Sequence, residues 1–173
     1  MLAQQRAARV RLMGFDVDGV MTDGSLYFTP AGDEIKVFSS LDGHGLKMLR
    51  QAGIEVVIIS GRSSRALELR AENLGIEELY MGVEDKRACL YDLLARRGLD
   101  PEDAGYMGDD VVDLPILRVC GFSATPADGH DLVKQHVHLI ARKGGGQGAV
   151  REICDFILEA QGRLDGLHAA YLA

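Results

Sequence analysis

The sequence has no hydrophobic run long enough to cross a membrane, and its first residues lack the apolar core of a secretory signal peptide. It has only three cysteines, Cys89, Cys120 and Cys154, which lie far apart and form no Cys-x-x-Cys pair. This pattern argues against a disulfide framework or a zinc site and favours buried free thiols. We therefore expect a cytoplasmic protein with no membrane partner.

Positive charge is also scarce: the chain has 19 Lys and Arg residues and 26 Asp and Glu residues, which gives a net charge of −7. A nucleic-acid surface needs a basic stripe that displaces counterions from phosphates, so we expect no nucleic-acid partner. Any phosphate group that the protein binds must meet a local positive pocket. The glycine cluster GGGQG at 144–148 lacks the Lys-Ser/Thr pair of a nucleotide-binding loop, which argues against an ATP site.

The 173 residues, of which 47% are hydrophobic, are enough for one complete core and too few for two, so we expect a single domain over 1–173. Short apolar runs predict strands at 10–17, 54–60, 78–82, 104–109, 121–125 and 136–140. Apolar residues at helical spacing, followed by glycine, predict helices at 42–53, 63–75, 85–98 and 149–162.

This alternation of strands and helices predicts an α/β fold with a doubly wound, mostly parallel sheet. One segment departs from the alternation. The sequence SLYFTPAGDEIKVFS (25–39) has two alternating stretches around a Pro-Ala-Gly-Asp turn. It predicts a β-hairpin inserted after the first strand, at about 24–39.

Three aspartates follow the first predicted strand in GFDVDGVMTDG (14–24). In open α/β sheets, ligands bind outside the carboxyl ends of the strands, so acids at this position face a site and not the core. Ser60, Lys86 and Asp109 follow other predicted strands. Each of these residues alone is also typical of a turn, a helix cap or a solvated surface. Together, a carboxylate pair, a hydroxyl, an ammonium and a further carboxylate indicate one functional site.

This set of groups suits phosphoryl transfer through an aspartyl phosphate. Asp16 would attack the phosphorus, while Lys86 and Ser60 would hold the phosphoryl group. Because a phosphate dianion repels a carboxylate, a divalent cation is needed, and oxygen ligands from Asp16 and Asp109 favour Mg²⁺. Asp18, two residues after the nucleophile, would protonate the leaving alkoxide and later take a proton from water.

At these positions the chain resembles the haloacid dehalogenase superfamily of phosphatases. The matching motifs are DVDGVMTDG (16–24), VVIISGR (56–62), Lys86 and GDDVVD (108–113), in the family order. The resemblance implies a Rossmann-like sheet. Members often carry a cap domain, but here only the hairpin and one helix separate the first two motifs, which implies a capless member.

The resemblance also assigns roles to further residues. It implies that Gly61 joins Ser60 and Lys86 in binding phosphate. It implies that Asp18 offers its backbone carbonyl to the magnesium ion, and that Asp113 and Asp110 support the metal site.

A narrower resemblance concerns the substrate. The hairpin, SSLDGHGLK (39–47) and KGGGQGAVREICDFIL (143–158) are similar to phosphatases that release an eight-carbon keto-sugar acid in lipopolysaccharide synthesis. A sugar-acid phosphate carries a carboxylate besides its phosphate. The planar guanidinium of arginine forms two parallel hydrogen bonds with either group. The family has an arginine where this chain has Lys47, which binds an anion without bidentate geometry. The implied substrate-binding residues are Ser39, Ser40, Leu41, Asp42, Gly43, Lys47, Arg62 and Arg70.

A capless site is open to water, and this chain has too few residues to build substrate-enclosing walls alone. The predicted hairpin carries Leu26, Phe28, Ile35 and Val37 on strands too short to be stable in isolation. The resembled family is a homotetramer whose hairpins associate, and we expect a homotetramer here.

Two other functions remain open. One is a phosphatase for a nine-carbon keto-sugar acid phosphate, although relatives with that specificity tend to have a glutamate at the position of Arg62. The other is a receiver domain, which also holds an aspartyl phosphate with acids, a hydroxyl and a lysine. A receiver does not need an acid two residues after its nucleophile, which favours the phosphatase.

Overall fold

The computed structural model describes residues 1–173, and a six-stranded parallel sheet forms its centre. The strands are β1 (Leu12–Phe15), β2 (Tyr27–Phe28), β3 (Glu34–Ile35), β4 (Glu55–Ile59), β5 (Leu79–Tyr80), β6 (Ala104–Met107), β7 (Phe122–Thr125) and β8 (Leu139–Ile140). The sheet order is β5-β4-β1-β6-β7-β8, with every neighbouring pair parallel. The strands β2 and β3 form a separate antiparallel hairpin.

Eight helices surround the sheet: α1 (Ala3–Ala7), α2 (Ser40–Gln51), α3 (Arg65–Leu74), α4 (Lys86–Arg97), α5 (Leu114–Leu117), α6 (Asp131–Lys134), α7 (Ala149–Ala160) and α8 (Leu164–Ala169). Two 3₁₀ turns lie at Pro101–Asp103 and Val111–Asp113. None of the helices combines the length and the apolar character that crossing a membrane requires. The expected cytoplasmic location stays a prediction.

Both faces of the sheet are covered, and the central strand shows why. Successive side chains of a strand point to opposite faces. Met13 and Phe15 pack into a cluster with residues of α2, α3 and α7, whereas Leu12 packs into a second cluster with residues of α4 and α5. Strands buried on both faces give the continuous apolar runs seen in the sequence.

The predicted fold class is confirmed, and all six predicted sheet strands, the hairpin and the four predicted helices are present. The helix α2 begins two residues earlier than predicted because the Ser39 hydroxyl accepts the Asp42 N–H (3.3 Å) and caps it. The cysteines are free, and Cys120 and Cys154 are buried as expected, while Cys89 is half-buried. That 1–173 form one domain stays a prediction.

Candidate active site

A cavity of about 570 Å³ opens at the carboxyl ends of the central strands. Four separate segments contribute to it, as predicted from the strand ends. Its lining comprises Asp16, Asp18, Gly24, Ser60, Gly61, Arg62, Val83, Glu84, Lys86, Asp109, Asp110 and Val112. The proposed nucleophile, acid, hydroxyl, ammonium and metal-binding carboxylate therefore lie together.

The loop 16–24 that follows β1 has a conformation fixed by close contacts. Gly19 has a φ of 86°, and a Cβ atom there would lie 2.0 Å from Asp109 Oδ2, so this position requires glycine. The Thr22 hydroxyl accepts the N–H groups of Gly19 (3.3 Å) and Gly24 (3.2 Å). These contacts fix the loop and place Gly19 against Asp109, which follows β6.

The glycine cluster 144–148 packs against the loop 16–24. The Gly146 N–H donates to the Val20 carbonyl (3.0 Å), and a Cβ atom on Gly145 would lie 2.0 Å from the Gly19 carbonyl oxygen. The glycines thus allow two backbones to pack directly on each other. The sequence did not reveal this role, because the contact joins segments more than 100 residues apart.

A buried ammonium lies between two carboxylates. Lys86 Nζ is 2.8 Å from Asp16 Oδ1 and 2.7 Å from Asp113 Oδ1. Asp113 is fixed in turn, because its Oδ2 accepts the N–H groups of Asp109 (3.1 Å) and Asp110 (3.3 Å). Burial lowers the pKa of Lys86, but the charges of Asp16 and Asp113 outweigh this and raise the pKa overall. The ammonium therefore stays charged, as binding of a phosphate group requires.

Three carboxylates share this region. Oxygen atoms of Asp16, Asp109 and Asp113 lie within 4.8 Å of one another. Burial, and then the charges of the other carboxylates, raise the pKa of Asp16 to about 6 and the pKa of Asp109 to about 8. One ammonium does not balance three carboxylates, and hard divalent cations prefer such oxygen ligands. The residues fit a divalent metal ion.

Other predicted residues of the site have defined contacts. Ser60 is buried after β4, and its hydroxyl accepts the Arg62 N–H (3.2 Å). The Asp110 carboxylate accepts the Val111 N–H (2.7 Å) and so caps a 3₁₀ turn outside the carboxylate triad. Its supporting role at the metal stays a prediction.

Two charged hairpin residues that the sequence analysis did not single out also reach the site. Lys36 Nζ lies 2.6 Å from Asp18 Oδ1 and 2.5 Å from Glu34 Oε1, and Arg62 Nη2 lies 2.7 Å from Glu34 Oε2. A signal was present in the alternation Glu-Ile-Lys-Val at 34–37, which places both charged side chains on one face of the strand.

The remaining predicted substrate-binding residues do not line the cavity. Arg70 donates to the Ser39 carbonyl (3.1 Å) and lies over the Phe38 ring. The buried Asp42 carboxylate accepts the Arg151 N–H (2.9 Å) in the first turn of α7, which caps that helix. The others lie on α2: Ser40, Leu41, Gly43 and Lys47. The roles of these residues in substrate binding stay predictions.

The parallel sheet with this polar set at one edge defines a hydrolase of the haloacid dehalogenase type. The model of the family described as haloacid dehalogenase-like hydrolase matches residues 26–121, and the chain belongs to this family. The predicted enzyme class, a phosphoric monoester hydrolase, is confirmed.

Named relatives match nearly the whole chain. The 3-deoxy-D-manno-octulosonate 8-phosphate phosphatase of Yersinia pestis is 46% identical over 94% of this chain and 87% of its own length. The Moraxella catarrhalis enzyme of that name, solved with a magnesium ion, a phosphate ion and a KDO molecule, is 38% identical with a TM-score of 0.96, over 98% of this chain and 97% of that one. The cobalt-bound phosphatase from Haemophilus influenzae is 39% identical with a TM-score of 0.92, over 97% and 99%.

Proposed function

We propose that this chain is a magnesium-dependent phosphatase that hydrolyses 3-deoxy-D-manno-octulosonate 8-phosphate to the free sugar acid and inorganic phosphate. The observation that carries the chemistry is the buried Asp16–Lys86 pair (2.8 Å) beside Ser60 and Asp18 in one cavity. The substrate is supported by the names of the relatives. The reaction belongs to lipopolysaccharide precursor synthesis, as the resemblance of the sequence implies.

The reaction proceeds in two displacements at phosphorus. The Asp16 carboxylate forms a bond to phosphorus as the bond to the sugar oxygen breaks, and Asp18 protonates that oxygen. Lys86, Ser60 and the backbone of Gly61 hold the phosphoryl oxygens. Asp18, now ionised, takes a proton from a water molecule that attacks the aspartyl phosphate, which releases inorganic phosphate and restores the Asp16 carboxylate and the protonated Asp18.

The metal site would use the carboxylates of Asp16 and Asp109 and the backbone carbonyl of Asp18, with Asp113 and Asp110 in support. When bound, Mg²⁺ neutralises charge between the Asp16 carboxylate and the phosphate dianion. The triad geometry and the raised pKa values of Asp16 and Asp109 support this proposal.

Specificity for a sugar acid rests on Arg62 in this proposal. Its side chain lines the cavity, is 38% exposed, and is held by Glu34 at 2.7 Å. A planar guanidinium in this position suits a carboxylate. Arg70 and the 39–47 segment lie outside this cavity, and they would contact substrate in an assembly of several subunits.

We also propose a homotetramer. The hairpin exposes the apolar side chains of Phe28 (62%), Ile35 (54%) and Val37 (64%), and Leu26 and Tyr27 are exposed as well. An exposed apolar surface of this kind is typical of a protein interface. Closed symmetric assembly would cover it.

A substrate panel tests the function. Release of inorganic phosphate is measured for eight- and nine-carbon keto-sugar acid phosphates, simple sugar phosphates and an aryl phosphate, with magnesium present. We expect the highest kcat/KM for the eight-carbon substrate. A higher value for the nine-carbon substrate would replace the substrate assignment, and a stable phosphorylated protein without turnover would contradict the phosphatase function.

A further inference from the structure

The second half of the hairpin, residues 34–37, places its charged side chains inward and its apolar side chains outward, which is the reverse of a solvated strand. Ile35 and Val37 are exposed, whereas the side chain of Lys36, between them, is only 2% exposed. Lysine is almost never fully buried without partners, because the desolvation of an ammonium is costly. Its contacts therefore indicate what Lys36 does.

The partners of Lys36 form a closed set of alternating charges. Its ammonium lies 2.6 Å from Asp18 Oδ1 and 2.5 Å from Glu34 Oε1. The other Glu34 oxygen lies 2.7 Å from Arg62 Nη2, and Arg62 Nη1 is 3.8 Å from Asp18 Oδ2. Two carboxylates and two cations balance each other. Asp18 is bound through Oδ1, and its Oδ2 makes only the long contact with Arg62.

We propose that Lys36 is a positioning residue for Asp18, and this inference rests on the proposed function, in which Asp18 is the general acid and base. The ammonium fixes the carboxylate through Oδ1 and leaves Oδ2 to carry the proton that goes to the leaving oxygen. Proton transfer requires the acid within hydrogen-bond reach of that oxygen, so orientation decides its efficiency. Glu34 orients Lys36 and Arg62 in turn, which makes the hairpin a part of the catalytic apparatus.

An alternative role for Lys36, direct binding of the substrate carboxylate, fits the geometry less well. Its ammonium already lies between two carboxylates and is almost inaccessible, whereas the guanidinium of Arg62 is partly exposed in the cavity. The two roles predict different kinetics. Loss of a residue that positions the acid slows reactions whose leaving group needs a proton, whereas loss of a binding residue weakens affinity for the sugar-acid substrate.

The test uses Lys36→Met, which keeps most of the length of the side chain and removes its charge, with three substrates. These are the eight-carbon sugar-acid phosphate, a simple alkyl phosphate without a carboxylate, and p-nitrophenyl phosphate, whose leaving group departs without protonation. General acid catalysis contributes roughly 10²–10⁴-fold, so partial loss of orientation should lower kcat/KM, which reports the first displacement only, about tenfold to hundredfold. We expect this loss for both alkyl esters, with kcat/KM for the aryl ester within about twofold of wild type because its leaving group needs no acid.

Matched variants separate positioning from folding. Lys36→Arg retains a cation and should restore part of the lost kcat/KM for the alkyl esters. Asp33→Asn removes a charge from the exposed turn of the same hairpin and should leave all three rates unchanged. In thermal unfolding, the losses for Lys36→Met and Asp18→Asn should be non-additive in the double variant, because the two residues are in contact.

The outcomes distinguish this inference from the proposed function. A wild-type protein that is inactive on both alkyl phosphates overturns the proposed function and the inference with it. An active wild type whose Lys36→Met variant loses kcat/KM equally on all three substrates overturns the inference alone. A loss confined to KM for the sugar-acid phosphate does the same and assigns Lys36 to substrate binding.

Discussion

At the scale of single residues, two aspartates only two positions apart have different surroundings. The Asp16 carboxylate is buried and contacts Lys86 at 2.8 Å, beside two further carboxylates. The Asp18 carboxylate contacts Lys36 at 2.6 Å and is not part of that triad. Different surroundings for paired carboxylates are the usual basis for different catalytic roles. Asp16 thus suits the nucleophile and metal ligand, and Asp18 the acid and base.

Neutral substitutions of these aspartates should separate their roles. Asp16→Asn should abolish phosphate release, because an amide does not form the covalent intermediate. Asp18→Asn should lower kcat for alkyl phosphates by roughly 10²–10⁴-fold through loss of the general acid. Asp109→Asn should mainly raise the magnesium concentration needed for activity. Phosphate release under magnesium titration, before and after chelation, measures all three effects.

The third aspartate of the same loop is the control. The Asp23 carboxylate accepts the Ser25 N–H (2.8 Å) and does not line the cavity, so Asp23→Asn should change turnover by less than about twofold. Substantial turnover by Asp16→Asn would contradict the covalent mechanism.

Arg62 should determine selectivity for the sugar acid. Removal of a charge-assisted contact to an ionised group costs about 2–3 kcal/mol, so Arg62→Ala should lower kcat/KM for the sugar-acid phosphate roughly a hundredfold. It should affect an alkyl phosphate without a carboxylate much less. Arg65→Ala is the matched control, because that arginine is exposed on α3 and pairs with Glu68. Equal losses on both substrates would assign Arg62 to phosphate binding or to structure.

At the scale of elements, helices and strands were predictable from the sequence where the pattern of apolar residues is local and extends over many residues. Apolar periodicity predicted α2, α3, α4 and α7, but α1, α5, α6 and α8 have four to six residues, which is too short for a periodic pattern. Ligands of parallel sheets bind at the carboxyl ends of the strands, and this rule correctly predicted that Ser60 and Lys86 line the cavity. The rule succeeds because it depends on sheet topology alone.

Contacts between distant segments were not predictable in the same way. The pair Lys36–Asp18 depends on how the hairpin packs onto the sheet edge, and the pair Asp42–Arg151 joins two helices 109 positions apart. Neither pairing leaves a local pattern. The charged face at 34–37 was visible in the sequence, but its orientation was not.

The ends of β1 and β6 bring acidic groups together, and this should make the stability of the metal-free protein depend on pH. Burial and then neighbouring charges raise the pKa of Asp16 to about 6 and of Asp109 to about 8, from an ordinary value of 3.8. The folded state then holds protons that the unfolded state has lost. Stability should therefore fall as the pH rises from about 4 to about 8.

Magnesium should offset this loss, because it favours the ionised carboxylates and binds only where they are deprotonated. We expect Mg²⁺ to raise the unfolding temperature of chelator-treated protein more at pH 8 than at pH 5, as measured by calorimetry. Asp109→Asn should weaken both the pH dependence and the magnesium effect. A metal-free protein whose stability rises between pH 5 and pH 8 would contradict this account.

At the scale of the whole molecule, the two faces of the hairpin have different partners. The inward face is occupied within the same chain, since Lys36 and Glu34 contact Asp18 and Arg62. The outward apolar face is exposed and therefore remains free to pair with another subunit. A site next to such a surface would be enclosed only on assembly. We therefore propose that the hairpin links oligomerisation to access of the substrate.

Charged residues at the exposed apolar positions of the hairpin should therefore break the assembly and lower sugar-acid turnover together. We expect wild type to form a tetramer in analytical ultracentrifugation, and Phe28→Asp and Val37→Asp to shift it toward monomers, because a buried unpaired charge costs several kcal/mol at an interface. Leu69→Asp, which places a charge on an exposed apolar position of α3, should leave the tetramer intact. In the monomeric variants the aryl phosphate, which needs no enclosing wall, should be hydrolysed at a rate closer to wild type than the sugar-acid phosphate. A wild-type monomer with full sugar-acid selectivity would show that each chain encloses its own substrate.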